Sequence, residues 1–164
     1  MKDIQPFLWQ QERLDKLKQH VSFGELRKPL EKWTCGDFVR ILNDDRDFIE
    51  NKVIGRSRYA VEWLGKVKTF ESTMNNIHNY LIANDTRPSE EEKQAAKGVD
   101  FPTMQEQIFL KVQSRLGLHS FDEVEKVPLS HYLLICKDES SRHKFEYNLQ
   151  VVYDRKRRLK QKTK

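Results

Sequence analysis

The sequence predicts an all-α protein, a single-domain bundle of about six helices with a long basic C-terminal helix. Apolar residues recur at spacings of three and four over several stretches, which is the periodicity of amphipathic helices. Charged residues make up 34% of the chain, while glycine and proline number only 6 and 5, as is typical of polar-faced helices joined by short breaks. The 164 residues are enough to bury a core without disulfides or metal.

The first helix is predicted to begin near Asp3 and Pro6 and to end before Gly24 and Pro29. Its apolar side is expected to carry Phe7, Leu14, Leu17 and Val21.

The second helix is predicted to begin at Thr34. Thr34 and Asp37 have the spacing of a capping box, in which the hydroxyl accepts an unpaired backbone N–H. Its inward residues are expected to be Phe38, Ile41 and Leu42. The acidic run that follows, NDDRD, lacks the glycine and the final glutamate of a calcium loop, so we interpret it as a solvated helix end or loop.

The clearest periodicity predicts a long helix from about Ser57 to Ile82. Its apolar residues alternate spacings of four and three, and the stripe that they form is predicted to be buried along its length. The stripe consists of Trp63, Val67, Phe70, Met74, Ile77 and Leu81. From Asn84 to Pro102 the chain turns polar, and we predict a surface excursion over 84–102 with a short helix capped by Ser89.

The C-terminal part is predicted to hold three further helices. Thr103 with Glu106, and Ser120 with Glu123, have the capping-box spacing, and Gly117 ends the helix between them. Pro128 is predicted to stop the short helix and to lead into the terminal one. The apolar residues of that terminal helix are Leu133, Leu134, Ile135, Phe145, Leu149, Val152 and Leu159.

The positive charge of the chain is concentrated at one end. Residues 155–164 hold seven of the 30 Lys and Arg and no acid, so residues 1–154 carry about −2 while the whole chain carries +5. We therefore divide the chain into a helical domain, 1–154, and a basic tail, 155–164. Such a tail can bind an acidic protein or contact DNA non-specifically through its phosphates, or it can be a solvated end beside the helix dipole.

Enzyme signatures such as a Gly-rich phosphate loop, Cys-x-x-Cys or His-Glu-x-x-His are missing from the sequence, so we expect no catalytic, cofactor or metal site. Cys35 and Cys136 lie in apolar helical patterns and are interpreted as reduced core residues. The first residues lack a signal-peptide core, and no apolar run approaches the roughly 20 residues that span a bilayer. We expect a cytosolic protein with no membrane contact.

Two stretches, LEKWTCGDFVRIL from Leu30 to Leu42 and LHSFDEVEKVPLSHYLL from Leu118 to Leu134, resemble small helical virion-assembly proteins of tailed bacteriophages. That group includes the neck or connector ring subunits and the tail-assembly chaperones. The resemblance implies a non-enzymatic protein, in the virion and in the host cytoplasm during assembly. It implies a homo-oligomer whose partners are the portal, neck or tail proteins. The basic terminal helix departs from the chaperones and suits a connector subunit.

The residues expected to bind a partner are aromatic or basic, because such side chains dominate interface energetics. They are Phe7, Trp9, Trp33, Phe38, Arg155, Lys156, Arg157 and Arg158. Two other functions remain open. One is a tail-assembly chaperone, and the other is a nucleic-acid-binding regulator that uses the basic C-terminal tail.

Overall fold

The computed structural model describes residue 13, residues 15–84, residue 98 and residues 102–162, with the backbone alone for 159–162. This part of the chain is helical and contains no β-strand, which confirms the all-α prediction. Its helices are α1 Cys35–Leu42, α2 Arg46–Phe48, α3 Ala60–Ala83, α4 Met104–Leu116, α5 Phe121–Lys126 and α6 Leu129–Lys162. Residues 15–19 are also helical, Leu30–Lys32 form a 3₁₀ turn, and Ile49–Ile54 form a π-helical turn.

Two predicted regions fall largely outside the described residues. Most of the first predicted helix lies there, including Phe7 and Trp9. The polar excursion predicted for 84–102 is described only at Asn84, Gly98 and Pro102. Of the first predicted helix, residues 15–19 are helical, but the helix ends there and not just before Gly24 as predicted. The remaining parts of both predictions stay as predictions.

Helix α1 lies at the centre of the fold and begins as predicted. Thr34 Oγ1 accepts the Asp37 N–H at 3.2 Å, and the Thr34 N–H donates to Asp37 Oδ2 at 2.7 Å. Lys28 Nζ donates to the same carboxylate oxygen at 2.5 Å. With its first turn capped in this way, the helix buries Phe38 and Ile41.

Helices α4, α5 and α6 pack around α1. Each contributes fully buried side chains to one shared core, namely Ile108 and Val112, Val124, and Leu129. The predicted capping boxes at Thr103 and Ser120 are both formed, and Gly117 ends α4 in the left-handed conformation with φ of 65°. The sequence therefore predicted these helix ends correctly.

The apolar stripe of α3 is only partly buried. Ile77 is in the core, and Val67, Phe70, Met74 and Leu81 pack at its edge. Trp63 is 37% exposed, so the prediction of burial along the whole stripe is wrong at this residue. Leu64 takes its place as the buried side chain, because the chain at Gly24 crosses α3 on that side and donates a 2.9 Å hydrogen bond to the Gly65 carbonyl.

The acidic run and the π-helical turn connect α1 to α3. Asn43 follows the last residue of α1, as the predicted helix end requires, but Asp45 Oδ1 accepts the Phe48 N–H at 3.1 Å and begins α2, so the run joins two helices. The π-helical turn was not predicted. Its wide backbone buries the consecutive residues Val53 and Ile54, and Gly55 ends it with φ of 82°.

An isolated antiparallel bridge between Thr34 and Pro128 joins the beginnings of α1 and α6. The Cys35 N–H donates to the Val127 carbonyl at 2.8 Å, and the Leu129 N–H donates to the Trp33 carbonyl at 2.8 Å. Residues 30–42 and 118–134 therefore pack against each other, and together they hold the first turn of α6.

Candidate functional site

Helix α6 leaves the body of the protein after Ser140. Its buried residues are Leu129, Tyr132, Cys136 and Ser140. From Ser141 to Arg158 every side chain is exposed except Asp154, which is partly buried. This stretch, which we call the projection, spans about 27 Å at a rise of about 1.5 Å per residue. The helix continues without a break across the predicted boundary between residues 154 and 155.

Ion pairs surround the point where α6 leaves the body. Arg115 and Arg142 both contact Asp138 Oδ2, at 2.6 and 2.9 Å, and Lys111 contacts Glu139 at 2.8 Å. All these side chains are at least a third exposed, so each pair contributes little to stability. The pairs of Arg115 and Lys111 link α4 to α6, and the pair of Arg142 lies within α6.

The projection carries large apolar side chains that contact no core. They are Phe145, Tyr147, Leu149, Val151, Val152 and Tyr153. Phe145, Leu149 and Val152 follow spacings of four and three and therefore share one side of the helix. By helical periodicity this side is roughly opposite the one that buries Tyr132 and Cys136. We call these three residues the outer stripe.

The predicted basic residues Arg155, Lys156, Arg157 and Arg158 lie at the end of the projection, and all four are exposed. Consecutive helical residues are separated by about 100°, so the four side chains point in all directions around the axis. None of them pairs with an acid within the part of the chain that the structure describes. With six bases and two acids, the projection carries a net charge of +4.

Trp33 and Phe38 are not surface residues, which corrects their assignment to a partner surface. Each is 1% exposed. Trp33 Nε1 donates to the Lys28 carbonyl at 2.8 Å, and its ring centre lies 6.1 Å from that of Phe70. Phe38 is buried because α1 is surrounded by α4, α5 and α6, and the three-residue spacing of Phe38 and Ile41 places both on the side that faces this core. The structure therefore does not bring them together with Arg155–Arg158.

The outer stripe was missed as a site, although its residues were assigned to the terminal helix. A signal for it exists in the sequence. The stretch KDESSRHK from Lys137 to Lys144 contains no apolar residue, so the core-facing pattern of α6 stops before Phe145. Apolar residues that resume after such a break belong to a different surface.

Two clefts offer little chemistry. One of about 670 Å³ is lined by Arg27, Arg56 and Lys66, and each of these three bases has a hydrogen-bond or ion-pair partner. Arg27 and Arg56 both donate to Asn51, and Lys66 pairs with Glu62 at 2.9 Å. The other, of about 300 Å³, borders Tyr132 and Cys136. Burial raises the pKa of the Tyr132 phenol far above its usual range, so this hydroxyl stays protonated.

Within the described ranges, no group of three or more His, Cys, Asp or Glu residues could hold a metal ion. Over the same ranges, none of the helices combines the length and apolar character needed to cross a bilayer.

The fold and the site together define a class: an all-α protein whose last helix extends from the body with an apolar stripe and a cationic end. Comparisons with models of protein families, with characterised proteins and with solved structures find no match to this chain.

Proposed function

We propose that this chain is a non-enzymatic structural or assembly protein of a tailed phage. It is an oligomeric connector subunit at the portal, neck or tail, which docks to other virion proteins. The observation that carries the proposal is the exposed projection of α6. The phage context rests on the resemblance of Leu30–Leu42 and Leu118–Leu134. The protein then resides in the virion, and in the host cytoplasm during assembly.

The shape of the projection supports a docking role. Six large apolar side chains and four consecutive bases stand on a helix that is already formed, so binding does not have to order this segment first. Arginine and aromatic side chains are the groups that contribute most at protein interfaces. Arg155, Arg157, Phe145 and Tyr147 are all available for such contacts.

Co-expression tests the docking role. The protein would be produced together with the portal, neck and tail proteins encoded in the same genome, and complexes would be isolated by size. We expect one of them to co-purify with the complete chain and to be lost on deletion of 156–164. Charge reversal of Arg155–Arg158 should weaken the complex more than reversal of Lys162 and Lys164, because the first group holds four consecutive bases, three of them arginine. Failure of every virion protein to co-purify would contradict the proposal.

Light scattering tests the oligomeric state. A connector subunit is expected to form a closed ring whose mass does not change over a range of protein concentrations. A monomer at all concentrations would favour a tail-assembly chaperone instead. The two roles also differ in the finished particle, where a connector subunit is retained and a chaperone is absent.

A second candidate is a nucleic-acid-binding regulator. The net charge of +4 on the projection favours it, because each neutralised phosphate releases counterions. The two functions respond differently to salt. Affinity for a polyanion should fall steeply between about 50 and 200 mM salt, whereas docking through apolar side chains should persist.

A further inference from the structure

The outer stripe of the projection is an uncovered apolar surface beside a cationic helix end. We propose that it docks an acidic amphipathic helix of a partner protein. This inference rests on the proposed docking function and names the chemistry of the partner. It also names the side of the projection that the partner contacts.

The geometry of the stripe fits a helical occupant. Phe145, Leu149 and Val152 alternate spacings of four and three, which is the pattern of the seam between two packed helices. The stripe faces away from the body, since the buried residues Tyr132 and Cys136 lie on the opposite side of the same helix. A partner helix can therefore lie along the projection without meeting α4.

Charge complementarity selects an acidic partner over a second copy of this chain. Two projections packed in parallel would bring their Arg155–Arg158 clusters side by side. If they packed antiparallel with their stripes in register, Arg155 of each copy would lie opposite Arg142 of the other. Both arrangements bring together segments that each carry +4, and like charges at this distance are destabilising. Carboxylates flanking a partner's apolar seam would instead pair with the bases on the side of the outer stripe, chiefly Lys156.

The same observations favour a protein over a nucleic acid. Phosphate groups would engage the bases but would leave Phe145, Leu149 and Val152 in water. An occupant that uses both the stripe and the charges must itself carry an apolar seam.

Binding of a synthetic probe tests the proposal. The probe is a helical peptide of about 21 residues with leucine at the seam positions and glutamate beside them. A scrambled peptide of the same composition, which has the charge without the seam, is its control. Affinity of the complete chain would be measured by fluorescence anisotropy at low and moderate salt. We expect the seam peptide to bind at least about tenfold more tightly than the scrambled one at moderate salt.

Matched variants locate the contact. Phe145→Ser with Val152→Ser removes outer residues that are 65% and 47% exposed. Tyr147→Ser with Val151→Ser removes residues on the other side that are 66% and 48% exposed, so the two pairs are equal in accessibility and in risk to folding. We expect the Phe145→Ser and Val152→Ser double variant, the outer pair, to weaken peptide binding by at least about tenfold. The Tyr147→Ser and Val151→Ser double variant, the inner pair, should weaken it by less than about threefold.

Four results would overturn the proposal. The first two are equal affinity for the two peptides and equal losses of affinity from the two double variants. The third is a DNA duplex that binds more tightly than the peptide and whose affinity the outer-pair variant does not change. The fourth is self-association of the chain that the outer-pair variant abolishes. The outcome is separable from that of the proposed function. Stripe-dependent peptide binding without any virion partner would keep the docking surface and remove the phage role. If the outer-pair variant still co-purified with a virion protein, the phage role would stand and the outer stripe would not be the docking surface.

Discussion

The carbonyl of Trp33 accepts the N–H of Leu129 at 2.8 Å, and this hydrogen bond ties the entry of α1 to the first residue of α6. The Cys35 N–H, which donates to the Val127 carbonyl at 2.8 Å, adds a second tie two residues further along α1. The Trp33 side chain also contacts Lys28 and Phe70. Trp33 therefore connects the first turn of α6 to α3 and to the central helix.

Replacement of Trp33 tests its place in the core. Trp33→Ala should lower the free energy of unfolding by about 3–5 kcal/mol, because it leaves a cavity beside Phe70 and removes a hydrogen bond to Lys28. Tyr59→Ala is the control, since Tyr59 is highly exposed, and it should cost less than about 1 kcal/mol. Urea denaturation measures both. If the Trp33→Ala protein were as stable as the parent, Trp33 would not be a core residue.

Gly65 is where another segment crosses α3 most closely. A Cβ at this position would lie 2.6 Å from the Ser22 carbonyl oxygen and 3.2 Å from the Gly24 nitrogen. We expect Gly65→Ala to destabilise the protein by about 1–3 kcal/mol, although alanine favours helix more than glycine does. Asn76→Ala, at an exposed position of the same helix, should be neutral or slightly stabilising. Thermal melts would compare them, and a gain in stability from Gly65→Ala would rule out the close crossing.

The two glutamates of the capping boxes make stability depend on pH. Hydrogen bonds from the backbone of Thr103 lower the pKa of Glu106, and those from His119 and Ser120 lower the pKa of Glu123, below the ordinary value of 4.5. A carboxyl whose pKa is lower in the folded state stabilises the fold above its unfolded pKa, and this contribution is lost as pH falls through the folded pKa.

Glu106→Gln with Glu123→Gln should therefore flatten the acid dependence of stability. We expect the variant to lose less of its unfolding free energy than the parent between about pH 5 and pH 3. Glu146→Gln is the control, because Glu146 is exposed on the projection and makes no hydrogen bond with the described residues. Denaturation curves at each pH measure the difference. Parallel pH profiles for the parent and the double variant would contradict the capping role.

Truncation tests whether the projection is independent of the fold. A chain that ends after Lys144 keeps every buried residue of α6 and the pair between Asp138 and Arg142. Its free energy of unfolding should lie within about 0.5 kcal/mol of that of the complete chain. A chain that ends after Ile135 loses Cys136 and Ser140 and should be clearly destabilised. A large loss from the first truncation would mean that residues beyond Lys144 belong to the core.

The cysteines report on local opening. Cys35 is fully buried, and burial raises the pKa of its thiol to about 11, so the reactive thiolate is scarce at neutral pH. In a Cys136→Ser variant, Cys35 should react with a thiol reagent only slowly in the folded protein, and fully in urea. The rate would be followed by absorbance at about pH 8. Immediate reaction of the folded variant would show that the beginning of α1 is open to solvent.

Helix ends were the part of the fold most accessible from the sequence. A cap depends on residues three positions apart, so Thr34 with Asp37 and Thr103 with Glu106 carry the signal within one turn. The exposure of Trp63 could not be read in this way, because it depends on where the distant residue Gly24 crosses α3. The π-helical turn has no local signature either, and its form depends on core contacts of Val53 and Ile54.

The candidate site also combines one feature that the sequence alone predicts with one that depends on packing. The cationic cluster at Arg155–Arg158 could be predicted, because charge density is a property of the sequence alone. The outer stripe was not predicted as a separate surface, although the run without apolar residues from Lys137 to Lys144 divides it from the core residues of α6. Its exposure also depends on where α4 stops covering α6, and that packing is not contained in the sequence of α6 alone.

Because α6 is one continuous helix from Leu129 to Lys162, a small change in its angle to the body moves its far end by a large distance. Among the residues that the structure describes, the side chains from Ser141 to Arg158 are exposed apart from Asp154, whereas the earlier part of the helix packs against α1 and α4. A tilt of the helix by about 5° at Ser140 would move Arg158 by roughly 2–3 Å, because the projection is about 27 Å long. The contacts nearest to that moving end are the pairs of Asp138 and Glu139 with α4, so they would bear the tilt first.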